Sequence, residues 1–410
     1  MAMLSAMDLI GNPSALHTPG HLAMNTIEDA REEIAKLIGA EPEEILFTSG
    51  GSESNNTVTN IFAGQPVAVS AIEHPSLLES AKLRCKTTII PVDDEGKIKK
   101  SAIAKLVKKQ SGDPRRAVGV TVAGSPEAER QARIHGEASW QDPNTPATNH
   151  FAFISIMLAN NEIGTINDIK TLAKTAHQHG ALFHTDATQA LGKIKIDVKD
   201  LDVDYMTISS HKIGGPVGIG ALYIKKGSPF VPFIVGGHQE RGRRAGTYQT
   251  VNIAGFGAAA KFANNHKTWK IYQEKIRPLR DLLAKRILKE IPYSSTNTPE
   301  TSLPNILNCS FEAAEGESIQ LYLDAEGDII TSTGSACASG DGKPSHVIMA
   351  TRDDAEIAHS SVRFSFGLDS SEKDVEQVMK YLPNIVDRLQ KISTLKAGKI
   401  KKEDSYYDKQ

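Results

Sequence analysis

Cysteine is scarce. Only three occur among 410 residues, Cys85, Cys309 and Cys337. So few, and odd in number, they exclude a disulfide framework and point to a reducing, cytoplasmic setting. An excess of charge of either sign is also missing, with 47 basic against 49 acidic side chains, so no polyanionic partner such as nucleic acid is implied. No apolar run is long enough to span a bilayer, which leaves no membrane role. Met1 to Met7 is too short for a signal segment and is stopped by Asp8. The arginines of an organelle presequence are absent as well. What the length does allow is one large domain with a smaller one beside it.

One stretch organises the rest. Tyr205 to Ile208 reads as a short buried strand, followed by Ser209-Ser210-His211-Lys212 and then by Gly214, Gly215, Pro216 and Gly218. A second strand, Ile219 to Ile224, comes next. A lysine delivered at a strand end, beside a histidine and two hydroxyls, is placed to carry a cofactor aldehyde as a Schiff base. Burial lowers a lysine pKa and so supplies the neutral amine that imine chemistry requires. Taken alone, the same residues read more readily as a surface lysine on a β-turn, because short motifs are weak signals.

The surrounding pattern weighs against that plainer reading. Asn25 to Ile38 has helical spacing and ends at Gly39. Ile45 to Thr48 is a strand that leads through Ser49, Gly50, Gly51 and Ser52 into a helix. That turn either receives a phosphate on free backbone N–H groups or is an ordinary capped turn. Val67 to Ile72 is a strand ending near Glu73 and His74, where a histidine either stacks on a planar ring or is a bonded loop residue. Thr87 to Val92, Ala102 to Lys109, Phe151 to Leu158, Asp168 to His179 and Leu182 onward continue the strand–helix alternation of an α/β, mostly parallel sheet. Residues 111–150 break the rhythm and read as a surface insertion. In such sheets ligands gather at the carboxyl ends of strands, and here those ends carry His74, Asn161, Asp186, Gln189 and Lys212. A carboxylate such as Asp186 suits a pyridine ring nitrogen, because it keeps that nitrogen protonated and electron-withdrawing.

Beyond the basic, glycine-rich loop from Gly236 to Thr247, helices are expected over Val251–Asn264 and Trp269–Ile291, the second long enough to cross between domains. From Ile306 the pattern is that of a smaller domain. Helices at Glu317–Leu323 and Ser371–Ile392 alternate with strands at Ile329–Ser332 and His359–Phe366, and a long polar loop runs through Glu356. Small residues around Cys337 make it exposed and mobile, as a nucleophile needs, whereas Cys85 and Cys309 lie in apolar segments and read as packing residues. The division expected is a large domain over 1–255, a small one over 256–392 that carries the cysteine loop, and a polar, disordered tail over 393–410.

In order along the chain, these residues resemble the cysteine desulfurases, pyridoxal-phosphate enzymes of the class V aminotransferase superfamily. The markers are Gly11-Asn12-Pro13-Ser14, Phe47-Thr48-Ser49-Gly50, Glu53-Ser54-Asn55-Asn56, Glu73-His74-Pro75 and Asn160-Asn161-Glu162-Ile163-Gly164. Asp186-Ala187-Thr188-Gln189, Ser210-His211-Lys212, Gln239-Glu240-Arg241-Gly242, Gly334-Ser335-Ala336-Cys337 and Val362-Arg363-Phe364-Ser365 complete the set. The likeness runs from about Gly11 to Ile392 and is interrupted by the insertion.

The resemblance implies the fold-type I architecture of pyridoxal-phosphate transferases. It implies conversion of L-cysteine to L-alanine through a pyridoxal 5'-phosphate aldimine on Lys212, which also moves the proton at the substrate α-carbon. His74 would stack on the ring and assist that transfer, and Asp186 would face the ring nitrogen. Gln189 and Asn161 would touch the ring hydroxyl or the substrate. Gly51, Ser52, Ser209 and His211 would hold the phosphate, with Thr247 from the other subunit of a homodimer. Arg363 would clamp the substrate carboxylate, a task that suits its planar fork. Cys337 would take the sulfur as a persulfide and pass it to an iron–sulfur scaffold or another sulfur-acceptor protein, in the manner of the branch whose cysteine rides a mobile loop. No resident metal is implied; Cys337 would at most contribute to a transferred iron–sulfur cluster.

Three departures stand out. The chain begins after a strand that usually helps line the family's active site, the insertion at 111–150 has no counterpart, and Gly214 and Val217 replace larger and basic residues. The alternatives are an aminotransferase or selenocysteine lyase on the same scaffold and, from the missing strand, a non-catalytic sulfur-assembly scaffold.

Overall fold

The computed structural model describes residues 1–106, 151–334 and 344–398. The 111–150 insertion, Cys337 and residues 399–410 of the tail lie outside the described residues. The chain forms two compact units. The first comprises Met1–Ile90, Lys99–Leu158 and Asp168–Lys267, and the second Pro91–Ile98, Ala159–Asn167 and Thr268–Gln410.

The first unit is built on a seven-stranded sheet. Its strands are β1 (Ile45–Thr48), β2 (Pro66–Ser70), β3 (Lys86–Ile90), β4 (Phe153–Ser155), β5 (Leu182–Asp186), β6 (Tyr205–Ser209) and β7 (Gly220–Ile224). Their order is β1-β7-β6-β5-β4-β2-β3. All neighbours from β6 to β3 pair in parallel, while β7 runs antiparallel to both β6 and β1. The central strands β5 and β6 are buried along their whole length, as parallel strands covered on both faces must be. That is why β6 reads as a short, largely apolar run rather than as alternation. Phe62 stacks on Phe153 with centroids 4.7 Å apart and meets Tyr205 edge-on, in a core shared with Leu46, Val67, Val69 and Leu222. Each such side chain contributes about 1.5–3 kcal/mol by leaving water.

The helix read from Asn25 starts earlier, at Thr18. His17 caps it, its ring nitrogen accepting from the Gly20 N–H at 3.1 Å, and Pro19 fits the first turn, where no N–H is needed. A histidine cap followed by Pro-Gly imitates a loop in sequence. Gly39 ends the helix in the left-handed conformation, as its position predicts.

The second unit holds a three-stranded antiparallel sheet in the order β10-β9-β8, where β8 is Ser294–Thr296, β9 Ile306–Phe311 and β10 Ser361–Ser365. Helices Arg277–Glu290, Gly316–Gly327 and Glu372–Ile392 cover it. The last buries Val375, Val378, Met379, Leu382, Ile385, Val386 and Leu389, spaced to form one helical stripe. Three expectations are corrected here. The single helix expected over Trp269–Ile291 is divided by a π-turn at Tyr272–Ile276, just before Pro278, which has no N–H for the α-helical bond. Ile329–Ser332 is not a strand; only Ser332 bridges, to Arg363, while Ile329 packs on the core as the chain leaves the preceding helix and Ile330 is 89% exposed. The stretch expected as a polar loop through Glu356 contains the short helix His346–Arg352 and runs into a second, Ala355–His359, capped by Ser345 and Asp354 side chains.

Candidate active site

In the first unit, β1 and β6 both oppose β7, so they run the same way, and their carboxyl ends share an edge with those of β2 and β5. Gly220, the first residue of β7, stands opposite both Thr48 and Ser209. A Cβ at Gly220 would lie 2.7 Å from the Gly50 Cα, so only glycine admits the Gly50 turn against this strand. Gly51 then begins the helix Gly51–Ile61. Gly51 and the exposed Ser52 therefore sit in its first turn, where N–H groups lack helical acceptors.

Lys212 lies on a 3-10 turn, Ser210–Ile213, directly after β6, and is half-buried. The turn ends at Gly214 with φ of 80°. Glycine is favoured in that left-handed conformation. Ser209 Oγ lies 3.0 Å from His211 Nδ1. Burial, with the charges of Lys212 and Lys193, pushes the His211 pKa down.

Asp186 ends β5 and is only 6% exposed. Its Oδ1 accepts from the Thr188 N–H at 2.9 Å and its Oδ2 from Asn55 Nδ2 at 2.9 Å. Asn55 Nδ2 also donates to Ser76 Oγ at 3.0 Å, and Ser76 Oγ lies 2.8 Å from His74 Nδ1. The Ser76 N–H donates to that same nitrogen at 3.1 Å, because His74 caps the helix Pro75–Arg84. With Nδ1 accepting, the neutral ring carries its proton on Nε2. Burial lowers the His74 pKa and Lys212 adds to the effect, although Asp186 opposes it. A relay thus links Asp186, Asn55, Ser76 and His74. Gln189 is half-buried on the turn after Asp186.

Burial shifts two titratable groups around this relay toward their neutral forms. Burial, followed by the charge of Asp186, raises the Glu73 pKa well above the carboxylate range; Glu73 Oε1 accepts from the Met157 N–H at 2.6 Å. Burial lowers His184 to about 4, and its two ring nitrogens meet Ser155 Oγ and Thr207 Oγ1 at 2.8 and 3.0 Å.

Thr247 is exposed on a loop anchored by two bidentate ion pairs. Arg31 grips the Glu240 carboxylate with bonds of 2.9 Å each, and Arg244 grips Glu53 at 2.9 and 3.1 Å. Glu240 and Arg241 adopt positive φ of 49° and 60°, conformations that the fully buried Arg31–Glu240 pair holds in place.

These residues fit pyridoxal phosphate. Thr188 Oγ1 and Asn55 Oδ1 are buried without a hydrogen-bond partner among the described residues. The Thr188 hydroxyl lies 3.3 Å from where a Cβ on Gly51 would be, beside the open helix start. An anion for a ring nitrogen, a lysine on a strand-end turn and a helix N-terminus for a phosphate thus stand on one sheet edge.

The second unit holds Asn161 and Arg363. Arg363, in the middle of β10, donates from Nη1 to the Asn161 carbonyl at 2.7 Å. Burial raises the neighbouring Glu162 to about 7, although Ser345 Oγ donates to its carboxylate and Arg363 attracts it. A side chain at Gly334 would strike the same carboxylate. Gly334 and Ser345, which flank the Cys337 segment, therefore converge on Glu162. The other two thiols are poor nucleophiles. Burial pushes Cys85 up to about 12 and also raises buried Cys309.

Sequence reasoning missed Asn55, Ser76, Thr188, Glu162 and Lys193 as site residues. Asn55 did leave a signal, since it lies one helical turn beyond Gly51 on the same face. Among the described residues no helix is long and apolar enough to cross a membrane.

Comparison with known proteins is consistent throughout. The family model for aminotransferase class-V matches residues 3–112 and 130–378. The chain is 39% identical over 397 residues to a protein of Dictyoglomus turgidum named cysteine desulfurase IscS, covering 94% of this chain and 90% of that one. It is 37% identical over 406 residues to a cysteine desulfurase of Gluconacetobacter diazotrophicus, covering 96% and 92%. Among solved structures, the NifS-like protein of Rickettsia africae superposes with a TM-score of 0.77 at 28% identity over 94% of both chains.

Proposed function

The chain belongs to the aminotransferase class-V family, in its pyridoxal-phosphate-dependent cysteine desulfurase branch, and on that premise we propose that it converts L-cysteine to L-alanine and keeps the sulfur as a persulfide on Cys337. The observation that carries this reading is the sheet edge where Asp186, its relay to His74, the Gly51 helix start and the Lys212 turn stand together.

When bound, pyridoxal phosphate supplies an electron sink for bonds at the substrate α-carbon. Lys212 would hold its aldehyde and move the α-carbon proton. Asp186 would keep the ring nitrogen protonated, fixed in place by the Asn55 amide and the Thr188 N–H. His74 would stack on the ring and present its Nε2–H, since Nδ1 is occupied by Ser76. It therefore serves as a donor. Gly51, Ser52, Ser209 and His211 would hold the phosphate, with Gln189 and Asn161 near the ring hydroxyl or substrate. Arg363 would bind the substrate carboxylate. The Cys337 thiolate then attacks the substrate sulfur. The new S–S bond forms as the C–S bond breaks, its electron pair goes to carbon, and protonation of that carbon yields alanine. The persulfide sulfur is passed on to an acceptor protein of iron–sulfur assembly or another sulfur pathway, in a cytoplasmic setting that keeps thiols reduced.

Purified protein reconstituted with pyridoxal phosphate should release alanine from L-cysteine and, with a reductant present, sulfide in equal amount. Alanine without sulfide, or neither product, would overturn the assignment.

Each site is proposed to need two copies of the chain. Leu4, Met7, Ile10, Leu16, Val217 and Val235 are left exposed on the first unit, and Thr247 is exposed on its anchored loop. The protein should sediment as a homodimer. Mixing Lys212→Ala with Thr247→Ala chains under exchanging conditions should give more activity than either alone, because one site per heterodimer is then intact. Full activity in a demonstrated monomer would refute it.

A further inference from the structure

Lys193 is a buried lysine that the mechanism above does not use. It follows the turn that begins at Asp186, and its backbone N–H donates to the Ala190 carbonyl at 3.0 Å. Only 6% of it is exposed. Burying an amine costs free energy unless something compensates, so the acceptor it meets is informative. Its Nζ donates to the main-chain carbonyl of Lys212 at 3.2 Å. The bond spans 19 residues and joins the turn after β5, which carries Asp186, to the turn after β6, which carries Lys212. Burial, and then the charge of Lys212, pulls Lys193 down to about 7. A neutral amine still has two N–H donors, so the tie survives deprotonation.

Within the turn, the Gly214 N–H donates to the Ser210 carbonyl. Ser210 N–H donates to the Ile219 carbonyl and Gly215 N–H to the Ser210 carbonyl, each at 3.2 Å. These main-chain bonds all engage Ser210, at the start of the turn, whereas Lys193 holds the carbonyl of Lys212 itself. The side chain of Lys212 has four rotatable bonds, and the direction in which it leaves the backbone decides where its amine arrives.

We propose that Lys193 is a positioning residue for Lys212, holding its peptide carbonyl so that the Lys212 amine is aimed at the cofactor aldehyde. This rests on the reading of Lys212 as the residue that bonds the cofactor. The consequence is kinetic, since a misplacement of about 1 Å of a reacting group can cost 10²-fold.

The test uses the full-length chain stripped of cofactor, mixed with pyridoxal phosphate, quenched with borohydride at timed intervals and mapped by mass spectrometry. In the wild type the label should appear on Lys212. In Lys193→Met, which keeps the shape and loses the donor, capture at Lys212 should slow at least about tenfold. Lys193→Gln, which retains an N–H donor without charge, should recover part of that rate and keeps the test valid should the methionine variant fold poorly. Thermal melting of each variant separates aim from stability, because loss of packing alone would lower melting without slowing capture in the protein that remains folded. Capture at the wild-type rate in both variants would overturn the proposal. A wild-type label on another residue would instead overturn the reading of Lys212, a result distinct from the first.

Discussion

Lys212→Ala should abolish turnover of L-cysteine, by at least about 10³-fold, while leaving the fold intact. The fold is expected to survive because the turn's own backbone bonds involve Ser210, Gly215 and Ile219, and Lys193 grips the residue 212 carbonyl, which alanine also supplies. Activity is expected to vanish because the amine has two tasks that no neighbour takes over. It must hold the aldehyde, and it must move the proton at the α-carbon. His74 is in the relay, yet Nδ1 accepts from Ser76 and burial keeps the ring neutral, so it lacks a free lone pair for that proton. His211 is exposed and bonded to Ser209. Lys193 is committed to a carbonyl. The measurement is alanine formed per site, with circular dichroism to confirm folding. Activity within tenfold of wild type would show that another group bonds the aldehyde.

Much of this site was legible because it is written at strand ends. β2, β5 and β6 are buried strands rich in apolar residues, and His74, Asp186 and Lys212 stand at or just beyond their carboxyl ends. What was hidden depends on partners far away in sequence. Asn55 meets Asp186 across 131 positions, and neither residue's neighbours predict the pairing. Glu162 is set against Ser345 across 183 positions, so its raised pKa is a property of the fold alone. The helix starts were obscured for a different reason. His17, Ser345 and Asp354 each cap a helix in a stretch whose composition reads as loop, because capping residues are loop residues until the backbone folds onto them. The π-turn at Tyr272–Ile276 had a visible cause in Pro278, but helical periodicity on both sides of it concealed the break.

The second large effect separates sulfur transfer from chemistry at the α-carbon. An aminotransferase needs only the lysine and the ring, because no thiol takes part. A desulfurase needs a nucleophile for sulfur, and the thiols compete unequally for that role. Cys85 donates to the Thr59 and Phe62 carbonyls at 3.4 Å each and is pushed up to about 12, while Cys309 is fully buried in the second unit's core. At neutral pH neither supplies thiolate. Cys337, flanked in sequence by Gly334, Ser335, Ala336, Ala338 and Ser339, carries no bulky neighbour. The segment holding it leaves Gly334 and rejoins the chain at Ser345, and both residues sit against Glu162. Cys337→Ala should therefore bind pyridoxal phosphate and L-cysteine as the wild type does, with the same absorbance change on adding substrate. Release of alanine and sulfide should fall at least about 10³-fold. Cys85→Ala and Cys309→Ala should keep the wild-type rate and lose stability at most, as truncations at packed positions do. Equal product from Cys337→Ala and the wild type would remove Cys337 from the reaction. A wild type that binds L-cysteine, shifts its spectrum and releases nothing would make the chain a scaffold, whatever its fold.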